Sequence, residues 1–194
     1  MRDLEGFARD YFSRLQETLR KLDLSTLSAI VSVLKEKHEQ GKQIFIAGNG
    51  GSSATAAHMV CDLNKTVLGE SANGMQRFRA ICLSDNIPWL TAIGNDIDYD
   101  AIFSEPLKNL ATGDDLLIVI SGSGNSLNIL EAIRTAHEMG LTTMGFLGYD
   151  GGKAKDLLDY CIVVPSNDYG LIEDVHMIFD HLITSYFKEM LSHE

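Results

Sequence analysis

The sequence predicts an α/β fold: a doubly wound, mainly parallel five-stranded sheet with flanking helices and a long N-terminal helix. Short apolar runs alternate with stretches in which apolar residues recur at helical spacing. The runs are continuously apolar, which is typical of parallel strands buried on both faces. The predicted strands are residues 43–48 (QIFIAG), 78–84 (FRAICLS), 115–121 (DLLIVIS), 142–148 (TTMGFLG) and 160–165 (YCIVVP).

Two amphipathic helices are predicted in the N-terminal segment 1–40. Apolar residues recur at helical spacing over residues 4–19 and again over 24–34. The polar residues between these stretches indicate a break, with Ser25 as the N-cap of the second helix. Because the first helix has a wide apolar stripe, we expect the segment to pack on the sheet domain and on neighbouring subunits.

The remaining predicted helices lie between the strands and at the end of the chain. They cover residues 53–63, 88–92, 127–139, 153–158 and 172–191. The last of them is long enough to span about 30 Å at 1.5 Å per residue. A chain of 194 residues with no linker and no repeat of fixed period has the size of one domain, so we expect a single domain over 1–194.

Composition narrows the classes of partner. The net charge of -11 argues against nucleic acid, which is bound through clustered Lys and Arg, and against an anionic membrane surface. No apolar run approaches the roughly 20 residues that cross a bilayer, and the first residues do not resemble a signal peptide. We therefore expect a cytoplasmic protein without a membrane partner. The three cysteines lack CxxC spacing, which indicates neither a disulfide framework nor a cysteine zinc site.

Two loops rich in Gly, Ser and Asn follow predicted strands directly, and each leads into a predicted helix. The first loop is Ala47–Ser53 (AGNGGSS), and the second loop is Ser121–Ser126 (SGSGNS). Ligands of open parallel sheets bind at the carboxyl ends of the strands, where helix N-terminal amides can hold a phosphate. Neither loop has Walker or dinucleotide-binding spacing, so we expect a phosphorylated sugar as ligand and no nucleotide cofactor.

Four segments carry a family resemblance. They are GNGGSSATAAHMVCDL (48–63), AIGNDIDYDAIFSEPL (92–107), SGSGNS (121–126) and EDVHMIFDHLI (173–183). Together they resemble the sugar isomerase (SIS) domain family, in particular its phosphoheptose isomerase group. The resemblance covers nearly the whole chain. It implies an aldose–ketose isomerase acting on a sugar phosphate, built as a homotetramer in which neighbouring subunits contribute the two loops to one site.

The resemblance also implies a set of substrate contacts, most of them in the two loops. The set is Asn49, Gly50, Gly51, Ser52, Asn95, Asp96, Ser121, Ser123, Asn125 and Ser126. From the residues alone, the Gly-Asn-Asp step at 94–96 indicates a turn and nothing more. We expect the stretch Gly69–Arg79 to border the pocket.

The resemblance further implies a metal site that holds zinc or another divalent ion. Its ligands would be His58, Asp62, Glu173 and His181, where phosphoheptose isomerases carry His, Glu, Gln and His. On a helix, His58 and Asp62 share a face because they are four residues apart. Glu173 and His181 are eight residues apart, about 80° around the helix axis, and can converge. Asp62 would be the catalytic base and His181 the acid.

Two functions remain open at this stage. The first is isomerisation of sedoheptulose 7-phosphate, or a related phosphosugar, to its aldose through a metal-assisted enediol. The alternative is a non-catalytic phosphosugar-binding or replication-initiator-associating protein of the same fold. The four candidate metal ligands favour the enzyme, because a binding module has no need of them. His176, three residues after Glu173, is either a neighbour of the site or a helix-packing residue.

Overall fold

A computed structural model describes residues 3–68 and 76–192 and contains the predicted sheet. The strands are β1 Gln43–Gly48, β2 Arg79–Cys82, β3 Leu116–Ser121, β4 Thr142–Leu147 and β5 Tyr160–Val163. Their spatial order is β2-β1-β3-β4-β5, and every neighbouring pair is parallel. The predicted α/β class and the five-stranded parallel sheet are therefore confirmed.

The order of the strands creates a switch point beside β1. From β1 the chain first moves outward to β2 and then returns to place β3 on the other side of β1. The two loops follow β1 and β3, the strands that flank this point. In open α/β sheets, the crevice at such a reversal is where ligands bind.

Helices cover both faces of the sheet. They are α1 Leu4–Arg20, α2 Leu24–Glu39, α3 Gly51–Asn64, α4 Ile87–Asp96, α5 Ser104–Leu110, α6 Leu127–Glu138 and α7 Tyr169–Leu191. Ile44 and Ile46 of β1 pack towards α2, α3 and α7, whereas Phe45 and Ala47 pack towards α4, α5 and α6. No helix within the described ranges is both long enough and apolar enough to cross a membrane.

The N-terminal helices differ in one detail from the prediction. Asp23, not Ser25, is the N-cap of α2, and its Oδ1 accepts from the Ser25 amide at 2.9 Å. Helix α1 docks on α7 through polar contacts: Arg14 Nη1 lies 2.6 Å from Asp168 Oδ2, and the Tyr11 hydroxyl donates to Asp174. This hydrogen bond to a carboxylate raises the pKa of Tyr11 to about 12.

Two further local predictions are wrong. The helix predicted at 153–158 is replaced by turns over 153–157, because Gly151 and Gly152 have positive φ and the Ala154 amide donates to Gly124 O in the second loop. Helix α4 continues to Asp96, so Asn95 and Asp96 lie in its last turn and not in a turn after it. Asn86 caps this helix and Pro88 lies in its first turn, where proline is tolerated.

Candidate functional site

The two loops are held together across the switch point. Gly48 of β1 is paired in register with Ile120 of β3. Just beyond these residues, the side-chain amides of Asn49 and Asn128 donate to each other's oxygens, at 2.8 and 2.9 Å. The Tyr99 hydroxyl also donates to Asn49 Oδ1, at 3.3 Å. Asn49 is therefore oriented before any ligand arrives.

The helices that leave the two loops begin without a side-chain cap. The N-cap residues are Gly50 for α3 and Ser126 for α6, and neither makes a capping side-chain hydrogen bond. Helices α1, α2, α4 and α7 are all capped by a carboxylate or an amide side chain. The short helix α5 is also uncapped, but it does not follow a strand. No capping side chain therefore competes with an anion for the first-turn amides of α3 and α6.

The second loop is shaped by the turn that follows β4. Gly124 has φ 61°, and a Cβ there would overlap the carbonyl oxygen of Gly151. Asn125 Nδ2 donates to Ser123 O at 2.9 Å, and Asn125 Oδ1 accepts from the Lys153 amide at 3.1 Å. Only glycine fits at position 124, because the backbone has a positive φ there and the Gly151 carbonyl lies too close for a Cβ.

The predicted substrate contacts differ in exposure. Gly50, Gly51, Asn95, Asp96 and Asn125 are exposed, and Asn49, Ser123 and Ser126 are half-buried. Ser52 and Ser121 are buried, and Ser121 Oγ accepts from the Gly124 amide at 3.1 Å. Asn95 donates to the neighbouring Asp96 at 2.7 Å. Among the hydrogen bonds of the described ranges, none joins the side chains of Asn95 and Asp96 to either loop.

A cluster of imidazoles and carboxylates lies between α3 and α7. His58 and Asp62 project from α3, and Asp180 and His181 project from α7, with one ligand atom of each within 4.8 Å of the others. We refer to these four residues as the His–Asp cluster. His58 Nε2 lies 3.3 Å from His181 Nε2 and 3.7 Å from Asp62 Oδ2. The Thr66 hydroxyl donates to Asp62 Oδ1 at 2.8 Å and orients that carboxylate.

Asp180 is the member of the His–Asp cluster that sequence reasoning missed. It is fully buried, and its Oδ2 has no hydrogen-bond partner within the described residues. Burial, followed by the nearby Asp62 carboxylate, raises the pKa of Asp180 to about 6, against the opposing effect of the two imidazoles. An available signal was the position of this Asp on the apolar face of α7, between the buried Phe179 and Ile183.

Glu173 lies elsewhere on α7. Its Oε1 would be 2.5 Å from a Cβ built on Gly51, so its carboxylate lies against the start of α3. Eight residues of helix advance about 12 Å, a separation that angular spacing alone does not reveal. The structure therefore joins His58, Asp62 and His181 as predicted but places Glu173 beside the first loop. Its role as a metal ligand stays a prediction.

Tyr169, the first residue of α7, was also missed. Its ring lies over Gly122, where a Cβ would be 2.9 Å from Tyr169 Cε2. Burial and the nearby Glu173 carboxylate raise the pKa of Tyr169. Tyr169 and Glu173 thus connect the second loop with the first, on the helix that also carries His181.

His176 is a packing residue. It is buried between Phe146 and Phe179, and its Nε2 lies 3.1 Å from Leu147 O. Burial lowers the pKa of His176 to about 4, which keeps the ring neutral. The stretch Gly69–Arg79, predicted to border the pocket, lies partly outside the described residues, and its last residue begins β2.

Comparison with known proteins agrees with this geometry. Residues 9–148 match the family model of the SIS domain. The chain belongs to the SIS domain family. A phosphoheptose isomerase of Aliarcobacter butzleri is 38% identical over 181 residues, covering 92% of this chain and 94% of that protein. A second, from Clostridium acetobutylicum, is 36% identical over 87% of this chain and 84% of its own length.

A solved structure is similar to nearly the whole chain, including the part beyond the segment that the family model matches. The structure of phosphoheptose isomerase from Neisseria gonorrhoeae superposes with a TM-score of 0.85 at 28% identity, covering 96% of this chain and 100% of that one. These relatives are isomerases, as the predicted enzyme class requires. The predicted resemblance to the phosphoheptose isomerase group is confirmed.

Proposed function

We propose that the chain is a phosphoheptose isomerase that converts sedoheptulose 7-phosphate to D-glycero-D-manno-heptose 7-phosphate. The observation that carries this proposal is the His–Asp cluster between α3, the helix that begins at the first loop, and α7. A protein that merely binds a sugar phosphate has no need of two imidazoles and two carboxylates in contact. An isomerase needs a base and an acid within reach of adjacent carbon and oxygen atoms.

The two loops would hold the substrate. The uncapped amides of α3 and α6 favour the phosphate, since helix N-termini attract anions. Asn49 and Asn125 offer side-chain amides to the sugar hydroxyls, and the Glu173 carboxylate beside Gly51 offers an acceptor. We further propose the predicted set as substrate contacts: Asn49, Gly50, Gly51, Ser52, Asn95, Asp96, Ser121, Ser123, Asn125 and Ser126.

The His–Asp cluster fits a divalent cation such as zinc. The Nε2 atoms of His58 and His181 lie 3.3 Å apart. Two nitrogens bound tetrahedrally to zinc are separated by roughly 3.3 Å, given Zn–N distances near 2.05 Å. Asp180 Oδ2 is buried without a partner, as an unused ligand atom would be. A cation bound here would supply positive charge to the carbonyl and hydroxyl oxygens of the open-chain sugar.

The residues of the cluster would move the protons. The Asp62 carboxylate takes a proton from C1 of the ketose as a C1–C2 double bond forms. His181 would donate a proton to the carbonyl oxygen on C2 from the ring nitrogen that does not bind the cation, which completes the enediol. The protonated Asp62 then gives its proton to C2, and the O1 proton passes to His181, so that the aldehyde forms and both residues return to their starting states. The Thr66 hydroxyl keeps Asp62 in position throughout, because its bond to Oδ1 leaves Oδ2 directed at the cluster.

Isotope exchange tests this proposal directly. In D₂O with sedoheptulose 7-phosphate, zinc-loaded protein is expected to exchange a C1 proton and to form the aldose, both followed by NMR. Protein treated with a chelator is expected to lose exchange while still binding the sugar phosphate through the loops. Tight binding by the zinc-loaded protein without any exchange would contradict an isomerase and support the non-catalytic alternative.

We also propose that the chain is a single domain, acts in the cytoplasm and assembles as a homotetramer. Support for assembly comes from α1, where Leu4, Phe7 and Phe12 remain more than half exposed, at 82%, 53% and 66%. Several exposed large apolar side chains on one helix are typical of a subunit interface. Light scattering is expected to give a mass near four chains, and a monomeric mass at micromolar concentration would contradict the tetramer.

A further inference from the structure

Asp180 occupies a position that is costly for a carboxylate without a positive partner. Its side chain is fully buried, and Oδ2 accepts no hydrogen bond within the described residues. The contact to Oδ1 is long, since the Thr184 hydroxyl lies 3.4 Å away. The groups that face it are the Asp62 carboxylate and the imidazoles of His58 and His181. A buried carboxylate is tolerated only when it is paired, protonated or bound to a metal.

We propose that Asp180 is a ligand of the divalent cation and takes the place predicted for Glu173. The ligand set is then His58, Asp62, Asp180 and His181. This inference rests on the proposed function in one respect only, namely that a cation occupies the His–Asp cluster. It adds a ligand that the family resemblance does not supply.

Position along the helices distinguishes the two carboxylates. Helices α3 and α7 run side by side in the same direction, because Gly51 neighbours Glu173 and His58 neighbours His181. Asp180 is at the level of His58 and Asp62, whereas Glu173 is about two turns earlier, at the first loop. One ligand atom of Asp180 already lies within 4.8 Å of one from each other member.

Charge complementarity points the same way. Two ionised carboxylates and two neutral imidazoles carry a charge of about -2, which a divalent cation neutralises. Without the cation, Asp62 and Asp180 are like charges in a partly buried space, an arrangement that disfavours the folded state. Oxygen and nitrogen ligands in this combination suit zinc.

This assignment leaves Glu173 with a different role. Because it is not a metal ligand, its carboxylate stays beside Gly51, close to Tyr169. There it would accept hydrogen bonds from hydroxyl groups of a sugar bound at the first loop. Loss of Glu173 is therefore expected to weaken sugar binding, whereas loss of Asp180 weakens metal binding.

A zinc competition assay on the full chain separates these roles. Apo-protein is titrated with zinc against a chromophoric chelator for the wild type, Asp180→Asn and Glu173→Gln. We expect Asp180→Asn to lower zinc affinity by about 100-fold or more, because a direct ligand is lost. Glu173→Gln is expected to stay within about 3-fold of wild type. The reverse ranking, or equal affinities for the wild type and Asp180→Asn, would overturn the assignment.

Thermal unfolding provides a second readout that does not depend on activity. For the apo-protein, Asp180→Asn is expected to raise Tm, since it removes a buried unpaired carboxylate, and to reduce the rise in Tm caused by zinc. A variant that lowers the apo Tm while zinc still stabilises it fully would show that Asp180 is merely structural. If zinc binding depends on Asp180 but no isotope exchange occurs, Asp180 is a metal ligand and the isomerase proposal is refuted. Failure of the ligand assignment can therefore be told apart from failure of the proposed function.

Discussion

The two loops and the His–Asp cluster satisfy their polar groups in opposite ways. In the loops, Asn49 bonds to Asn128 and Asn125 bonds to Ser123, so these side-chain amides already have partners within the chain. In the cluster, Asp180 Oδ2 has no partner in the described part of the chain, and two imidazole nitrogens face each other at 3.3 Å. We therefore expect the loops to be preformed for the proposed substrate and the cluster to be stabilised by the proposed cation. This contrast supports the proposal that the loops bind the substrate and that the cluster carries out the chemistry.

The largest expected effect is on turnover, and it tests whether chemistry resides in the cluster. Asp62→Asn removes the proposed base, and we expect kcat to fall by about 10²- to 10⁴-fold. Affinity for the sugar phosphate, measured by calorimetry, is expected to change little, because the loops are untouched. The matched control is Glu189→Gln, an exposed carboxylate farther along α7, which is expected to keep full activity. If Asp62→Asn kept wild-type turnover, chemistry would have to be assigned elsewhere.

The next effect concerns His176, a buried polar group on α7 that needs no cation. Its folded pKa of about 4 lies below the ordinary value of 6.5, so the unfolded state binds the proton more tightly. Stability is therefore lost as pH falls from about 6.5 to 4, by up to about 3 kcal/mol. His176→Leu is expected to flatten this decline, measured by urea unfolding of the chelated protein at each pH. An unchanged decline in the variant would show that other groups cause it.

The smallest effect tests the loops alone. Gly124→Ala places a Cβ against Gly151 O at a positive φ, so we expect the second loop to shift and sugar-phosphate affinity to fall by about 10-fold. Zinc affinity is expected to remain as in the wild type, because the cluster lies on other elements. Gly94→Ala in α4 is the control, since its Cβ would meet only Ile102 at an ordinary 3.8 Å. If Gly124→Ala also lowered zinc affinity, the loops and the His–Asp cluster would not be independent of each other.

Much of the architecture follows from local patterns. The continuous apolar runs predicted every strand, because a strand buried on both faces must be apolar on both faces. The helix predicted at 153–158 failed for an equally local reason, since two glycines precede it and its amides serve the second loop. The Gly-Asn-Asp step was misread as a turn because the capped α4 continues through it.

Three of the four members of the His–Asp cluster were candidate residues from the sequence. His58 and Asp62 were paired correctly by their spacing, and His181 joins them as the resemblance implied. Glu173 was expected beside His181 from its angle around α7, but the rise along the helix places it at the first loop. Asp180 was not predicted as a site residue, because the sequence does not show which side chains surround an acidic residue on the apolar face of a helix.

By itself, the sequence determined the strands, the two phosphate-suited loops and the candidate ligands on α3 and α7, because each depends on residues close together in the chain. The tertiary structure alone decided that β1 and β3 are neighbours, so that the two loops follow adjacent strands at the same edge of the sheet. It also decided that Asp180 lies with the two histidines and that the Glu173 carboxylate lies against Gly51. Both depend on distances between segments that are far apart in the chain, which only packing of the helices on the sheet can set.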